Sequence, residues 1–290
     1  MNQILEVLLS GVSLGSVYAI NAIGLSLVYG VTRVFNFSYG AFFTGGAYLA
    51  WVLSSGALGL AYPWVFLISA VVLFGAGMAL ERLLVRPLRG RSDWKMTTMI
   101  TTLGMAILLQ NLAMIVFGPL VKELPPLFSG SVDVAGAAVL KQSIAMLIIS
   151  ILAMIALEMY LARTRTGRAM QAVAQDMTGA QIVGAPLNRI FGYAFGASAV
   201  MAGFSGILLA PVYLISPASG WTPFFKAFVI VVLGGLGSVR GAVFASFVLG
   251  VGEALVTWQF GAVWTMAFWF ITLVVVMVIK PTGLFGNREN

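Results

Sequence analysis

The chain has 290 residues, of which 60% are hydrophobic and only 9% charged, with a mean hydropathy of +1.02. A water-soluble domain of this size needs polar surface over its core, so the composition excludes one and identifies a membrane protein. With no Cys and no His the chain has no thiolate or imidazole metal site, disulfide, Cys or Ser-His nucleophile system, or histidine proton relay, and its net charge of +7 comes from sixteen Lys and Arg grouped between apolar runs rather than on a face for nucleic acid.

Apolar stretches predict an all-α, polytopic integral membrane protein with about eight hydrophobic segments, at 4–31, 37–58, 60–80, 96–118, 142–162, 190–215, 227–257 and 261–279. Each is too long and uniformly apolar to alternate as barrel strands do. The first has no Lys or Arg before it and exceeds a secretory core, so it reads as a retained helix. The whole of 1–290 is read as one transmembrane domain.

Orientation follows from the connecting segments. The 81–95 segment carries Arg82, Arg86, Arg89, Arg91 and Lys95, and 163–189 carries four arginines against Asp176, so both are expected in the cytoplasm. The balanced 119–141 segment, with Pro125-Pro126, is expected outside, which puts Arg33 inside and the amino terminus outside. Eight simple crossings would then leave the carboxyl end outside, whereas Lys280 and Arg288 favour the inside. One segment is therefore expected to be re-entrant or broken, and 227–257 is the candidate, because the glycine-rich 234–241 interrupts it. A short echo, Leu14-Gly15-Ser16-Val17 against Leu236-Gly237-Ser238-Val239, hints at internal duplication.

Four groups of residues are candidates for function. Asn36, Ser38 and Tyr39 stand at the mouth of a helix, either as a helix cap and an interfacial ring or as a transport contact, and Gly40, Gly45 and Gly46 give that helix a small-residue face. The 168–184 segment reads as one short amphipathic helix with Met170, Val173, Met177 and Ala180 on a stripe. It suits either a membrane surface or, better given its small residues, a partner's groove. The turn containing Gly234, Gly235, Gly237 and Ser238 is either tight packing or a gate, and the chain has no phosphate-binding Gly-x-x-x-x-Gly-Lys-Ser/Thr motif. Among polar residues in apolar stretches, Asn21, Gln110 and Asn111 suit interhelical hydrogen bonds, and Glu253 is a functional candidate as an acid within an apolar run; Glu158 and Gln259 complete the set. The acidic residues form no pair suited to acid/base catalysis.

The Asn-Phe-Ser-Tyr-Gly segment with its following Gly-Ala-Tyr, the Thr-Gly-Arg-Ala-Met-Gln-Ala-Val-Ala-Gln-Asp helix, the Val-Leu-Gly-Gly-Leu-Gly-Ser turn and the closing Lys280-Pro281-Thr282-Gly283-Leu284-Phe285-Gly286 occur in order along the chain. Together they resemble, end to end, the permease subunits of bacterial ATP-binding-cassette importers for branched-chain amino acids, and most of all the shorter of the two paired permeases. The resemblance implies a transport subunit rather than an enzyme, in the bacterial cytoplasmic membrane. Its partners would be a second permease, cytoplasmic ATPase subunits and an external substrate-binding protein. The chain would bind no cofactor, and ATP would be used by the partner. The resemblance places ATPase coupling in 163–189, at Gly167, Arg168, Ala169, Ala172, Gln175, Asp176 and Gly184. A substrate pathway is expected at Asn21, Asn36, Ser38, Tyr39, Gly40, Gly234, Gly235, Gly237, Ser238 and Glu253. Departures from the family pattern are Ser38, Tyr39 and Ala41 where relatives carry Ala, His and Glu, Gln171 for Arg, and Arg240 for Pro. They leave cargo open between branched-chain amino acids and urea or short-chain amides. A self-contained secondary transporter is the other class, with Glu253 as its ion-binding residue.

Overall fold

A computed structural model describes residues 2–55, 59–134, 136–280 and 282–285. Residues 56–58 at the end of the second apolar stretch, and Pro281, Gly286 and Arg288 near the carboxyl end, lie outside the described residues. Among the described residues, six helices are long and apolar enough to cross a membrane, and two shorter apolar ones accompany them. The protein is all-α and polytopic, as its sequence predicts.

The helices in chain order are α1 (Asn2–Thr32), α2 (Tyr39–Ala50), α3 (Tyr62–Leu80), α4 (Trp94–Phe117), α5 (Lys141–Arg163), α6 (Arg165–Gln175), α7 (Met177–Ile182), α8 (Leu187–Leu209), α9 (Trp221–Gly234), α10 (Val239–Phe260) and α11 (Trp264–Ile279). A π-helical turn, Trp51–Ser55, extends α2. The 119–141 loop holds an antiparallel hairpin of β1 (Ser131–Val134) and β2 (Ala137–Leu140), which the sequence reading did not anticipate. Its Ala138 N–H donates to Glu6 Oε1, tying the hairpin to the start of α1.

The expected interruption of 227–257 is a complete break. Gly235 and Gly237 take φ of +101° and +81°, a region open to glycine, and reverse the chain between α9 and α10. Ser238 caps α10 by accepting the Gly241 N–H at 3.1 Å. One stretch thus becomes two antiparallel passages. The chain after α11 consequently returns to the same end as this turn: Leu284 N–H donates to Leu233 O at 2.7 Å and Phe285 N–H to Gly234 O. Gly237 in turn lies against Gly30 near the end of α1. The carboxyl-terminal segment therefore sits at the end that carries the basic loops, which resolves the mismatch in the crossing count.

The packing contains a repeat. Taken in order, α1 to α4 and α8 to α11 each comprise a long helix, a non-helical stretch, a short helix and two further helices. α1 lies along α10 as α8 lies along α3; α2 packs on α8 as α9 packs on α1; α4 meets α2 as α11 meets α9; and α1 and α8 cross at the centre. Corresponding helices run in opposite directions, which is the inverted-repeat arrangement of transport folds. The four-residue echo does not mark it: Leu14–Val17 lies inside α1, and the matching residues 236–239 form the α9–α10 turn. α1 and α8 supply the two largest shares of the buried core, including Val17, Ile20, Leu25, Phe191, Phe195 and Leu208, while α4 and α11 present Ile107, Ile115, Ile271 and Val278 outward.

Candidate translocation and coupling sites

Both short helices begin inside the span. After α1 ends, Arg33 adopts φ +56° and residues 34–38 turn back along it, so that Tyr39 at the start of α2 reaches Asn21 in the middle of α1. Its hydroxyl donates to Asn21 O at 2.5 Å. α9 enters from the opposite end, and Asn21 Nδ2 donates to Pro223 O at 2.9 Å in its first turn. The two amino-terminal ends meet where Gly40 and Gly220 touch backbone to backbone, a contact with no room for a side chain. Two positive helix ends thus converge beside Asn21, whose Oδ1 has no donor among the described residues.

The polar residues before α2 fasten it in place. Asn36 Oδ1 accepts the Ser38 N–H at 3.1 Å, Ser38 Oγ donates to Thr102 O at 2.7 Å, and Phe37 N–H donates to Thr102 Oγ1. Asn36, Ser38 and Tyr39 are all buried, and Ser38 occupies the cap position without a capping side-chain bond. The expected Asn36 cap is replaced by a tight turn onto Ser38. Thr102, which anchors this turn to α4, carried no signal in an apolar stretch rich in Thr.

Glu253 has a partner that the sequence reading missed. Its Oε1 lies 2.6 Å from Lys226 Nζ, and its Oε2 accepts the Trp269 indole N–H at 3.0 Å. Lys226 also donates to Tyr18 Oη at 2.8 Å and lies over both the Tyr18 and Trp269 rings. α1, α9, α10 and α11 each contribute one member of this buried set. Lys226 escaped notice because it falls at the edge of the predicted 227–257 stretch; inside the real α9 it is a lone cation, which calls for a counter-ion. Beside it is a cavity of about 200 Å³ with apolar walls from Phe43, Leu209 and Ile215 and a polar edge of Tyr18, Ser219, Thr222 and Lys226. The ammonium has three N–H donors and uses two among the described residues.

Of the amides, Gln110 accepts the Trp221 indole N–H at 2.7 Å, joining α4 to α9. Asn111, by contrast, bonds within α4, to Ile107 O, and to no other helix among the described residues. Glu158 and Gln259 are exposed.

At the basic end, the expected 168–184 helix is two. Asp176 leaves the helical conformation (φ −145°, ψ 105°), and its Oδ1 accepts the Thr178 N–H as the cap of α7. α6 has its own cap, Thr164, whose hydroxyl accepts the Gly167 N–H at 2.9 Å, and Gly167 fits against Tyr160 and Leu161 where a side chain would collide. Met170, Val173 and Ala180 are buried in this chain's own core, so the apolar stripe is not free to enter a partner's groove. Arg168, Gln171, Ala172, Gln175, Asp176 and Gly184 face outward, and Ala169 is half-buried. Arg33 Nη2 donates to Ala174 O at 3.0 Å, joining α6 to the end of α1. A groove of about 780 Å³ opens here between α1, α5, α6 and α10, with Glu158, Gln171, Gln175, Gly237 and Arg240 on its walls.

Nearby, burial beside Phe191 pulls the Arg89 guanidinium down to a pKa of about 10, and it still pairs with Glu81 at neutral pH.

Residues 7–277 match the family model described as branched-chain amino acid transport system / permease component. The chain is 33% identical to the high-affinity branched-chain amino acid transport system permease protein LivH of Salmonella typhimurium, covering 98% of this chain and 96% of that protein. It is 32% identical to BraD of Pseudomonas aeruginosa over the same shares. The permease LivM of Salmonella typhimurium is also similar, at 29% identity over 92% of this chain and 67% of LivM. Among solved structures, PsaBC from Streptococcus pneumoniae in complex with Fab shares the fold at a TM-score of 0.52 and 14% identity, covering 99% of this chain and 95% of that one. With a family model over nearly its whole length and relatives matched end to end, the chain belongs to the branched-chain amino acid transport system permease family.

Proposed function

We propose that the chain is the translocation subunit of an ATP-driven importer for branched-chain amino acids in the bacterial cytoplasmic membrane. It works beside a second permease, is driven by cytoplasmic ATP-binding-cassette subunits and receives cargo from an external binding protein. It binds no cofactor, and ATP is spent by the partner subunits. The observation that carries the coupling reading is the orientation of α6 and α7: the apolar side is held by the protein's own core, and Arg168, Ala172, Gln175 and Asp176 form an outward face. A partner pressing on that face moves α6 as a unit, and the Arg33 bond to Ala174 O passes the motion to the end of α1, whose middle holds the starts of both short helices.

For cargo, the cavity beside Lys226 favours an amino acid over urea or a short amide. Its walls accept an apolar chain and its ammonium a carboxylate, and neither small amide offers both.

The test is uptake by the chain reconstituted into proteoliposomes with its co-purifying partners. Leucine should enter only with ATP, and Arg168→Glu should reduce uptake at least tenfold while membrane insertion is retained. Unchanged uptake in that variant would overturn the coupling assignment. Uptake by the chain alone after ATP depletion would favour a self-contained transporter, and uptake of urea or acetamide in place of leucine would overturn the cargo.

A further inference from the structure

Three guanidinium groups at the basic end serve neither the coupling face nor the short helices. α3 continues past Leu80 through a π-helical turn, Glu81–Val85, and a 3₁₀ turn, Arg86–Leu88, which carry Arg82 and Arg86 to the surface. Arg189, in the first turn of α8, reaches the same groove. The buried carboxylate beside them, Glu81, pairs instead with Arg89, which also donates to Asn188 Oδ1. Among the described residues, Arg82, Arg86 and Arg189 form no ion pair, so three positive charges stand together without compensation.

The groove they line, about 740 Å³ between α3 and α8, changes character along its length. Its lower part is Gly75, Met78 and Ala79 on α3 with Gly192 and Tyr193 on α8. Gly75 lies about 10 Å deeper along α3 than Arg82, at seven residues of helical rise, and a side chain there would meet nothing within 4 Å. Past Arg86 and Arg189 the groove continues into a second one of about 630 Å³ beside Trp94, which opens α4 directly after the basic segment, and tryptophan is enriched at membrane interfaces. Charge at the interface and an unfilled apolar slot below it match one class of molecule. Arginine forks bind phosphate oxygens with paired, charge-assisted hydrogen bonds, and a slot at hydrocarbon depth is filled from the bilayer. A free phosphate or an acidic protein surface would use the arginines but not the slot.

We propose that this groove binds an anionic phospholipid, its phosphate held by Arg82, Arg86 and Arg189 and one acyl chain lying along Gly75 and Met78. Phosphatidylglycerol and phosphatidylcholine of identical chains are titrated separately onto the purified full-length chain in mild detergent, and retained lipid is read by native mass spectrometry. The wild type should retain phosphatidylglycerol at least tenfold better. With each arginine contributing about fivefold, the combined Arg82→Gln, Arg86→Gln and Arg189→Gln variant should lose on the order of a hundredfold in phosphatidylglycerol affinity and only about tenfold in phosphatidylcholine affinity, whose phosphate charge its own choline offsets, so that the variant retains the two lipids about equally. Gly75→Phe, which places its ring in open space and leaves every arginine intact, should also weaken retention, and it provides the test by itself where the triple variant fails to fold. Equal retention of both lipids by the wild type would overturn the proposal. So would loss in the arginine variant but not in Gly75→Phe with competition by millimolar inorganic phosphate, which would mark a phosphate site only. Release of the ATPase subunits by the arginine variant with lipid retention intact would assign the cluster to a protein interface instead.

Discussion

Lys226 and Glu253 sit 2.6 Å apart across the seam between α9 and α10, each more than nine-tenths buried. Two charges removed from water are tolerable only together, since each supplies what the other lost, and removing one leaves the other unpaired in a low-dielectric interior. Glu253→Leu alone should therefore destabilise the protein by about 3–5 kcal/mol, whereas Lys226→Met with Glu253→Leu should recover most of that. Thermal melting of the purified variants checks this. A double variant no more stable than the single one would show that the pair is not the reason for the loss. A stable double variant that no longer transports leucine would place the ammonium in cargo handling.

How much of this was legible depended on the kind of signal. Composition and run length identified the long helices, because spanning hydrocarbon imposes a local requirement on some twenty consecutive residues. The break at 234–241 was legible for the same reason, since glycines at Gly235 and Gly237 are demanded by local backbone geometry. The Lys226–Glu253 pair was not: its members are 27 residues apart, and only the antiparallel return of α10 on α9 brings them together. The inverted repeat was not legible in the four-residue echo, because it lies in which helices touch. The apolar stripe of 168–184 was read correctly as a stripe, yet sequence periodicity does not say whose core it faces. Asp176 also split that helix, because a short acidic side chain satisfies the free N–H of Thr178 better than it extends a helix.

The α2–α8 crossing gives a second prediction. Gly46 packs directly on the backbone of Gly203, so a side chain there meets main chain that has no rotamer to move away. Gly46→Val should destabilise by about 3 kcal/mol or more, above the usual cost of overpacking a core. Gly104→Val on α4 meets nothing within 4 Å and should melt within about 1 kcal/mol of the wild type. Similar melting by the two variants would contradict the close α2–α8 approach.

The segment after α11 closes α9. Leu284 and Phe285 donate to Leu233 O and Gly234 O, carbonyls that the end of a helix otherwise leaves free, and Gly283 reaches Gly235 closely at φ +75°. Deleting residues 282–290 should remove about 1 kcal/mol for each of these hydrogen bonds and raise amide exchange over 230–238. Gly283→Val should reproduce the effect, because its side chain meets Val232 O at 2.5 Å and Gly235 at 2.6 Å. Unaltered exchange in both variants would mean that α9 is capped by other groups.

The last prediction concerns transmission from the coupling face. Arg33 takes a left-handed conformation that costs a side-chain-bearing residue about 1 kcal/mol, and it uses its reach to donate to Ala174 O at 3.0 Å. Arg33→Gly removes the guanidinium and relieves the backbone at the same position, so its effect on stability should stay within about 1 kcal/mol. In the reconstituted importer, ATP hydrolysis should continue while leucine imported per ATP falls about tenfold, the equivalent of about 1.4 kcal/mol of coupling free energy. Arg33→Lys, whose single ammonium ends one bond short of the arginine Nη atoms, should fall between the two. Because stability and hydrolysis are both read alongside uptake, a merely structural role would show as parallel loss of all three. An unchanged uptake-to-ATP ratio in Arg33→Gly would show that motion of α6 reaches the middle of α1 by another route, and the buried contacts of Met170 and Val173 with the core would then be the ones to weaken.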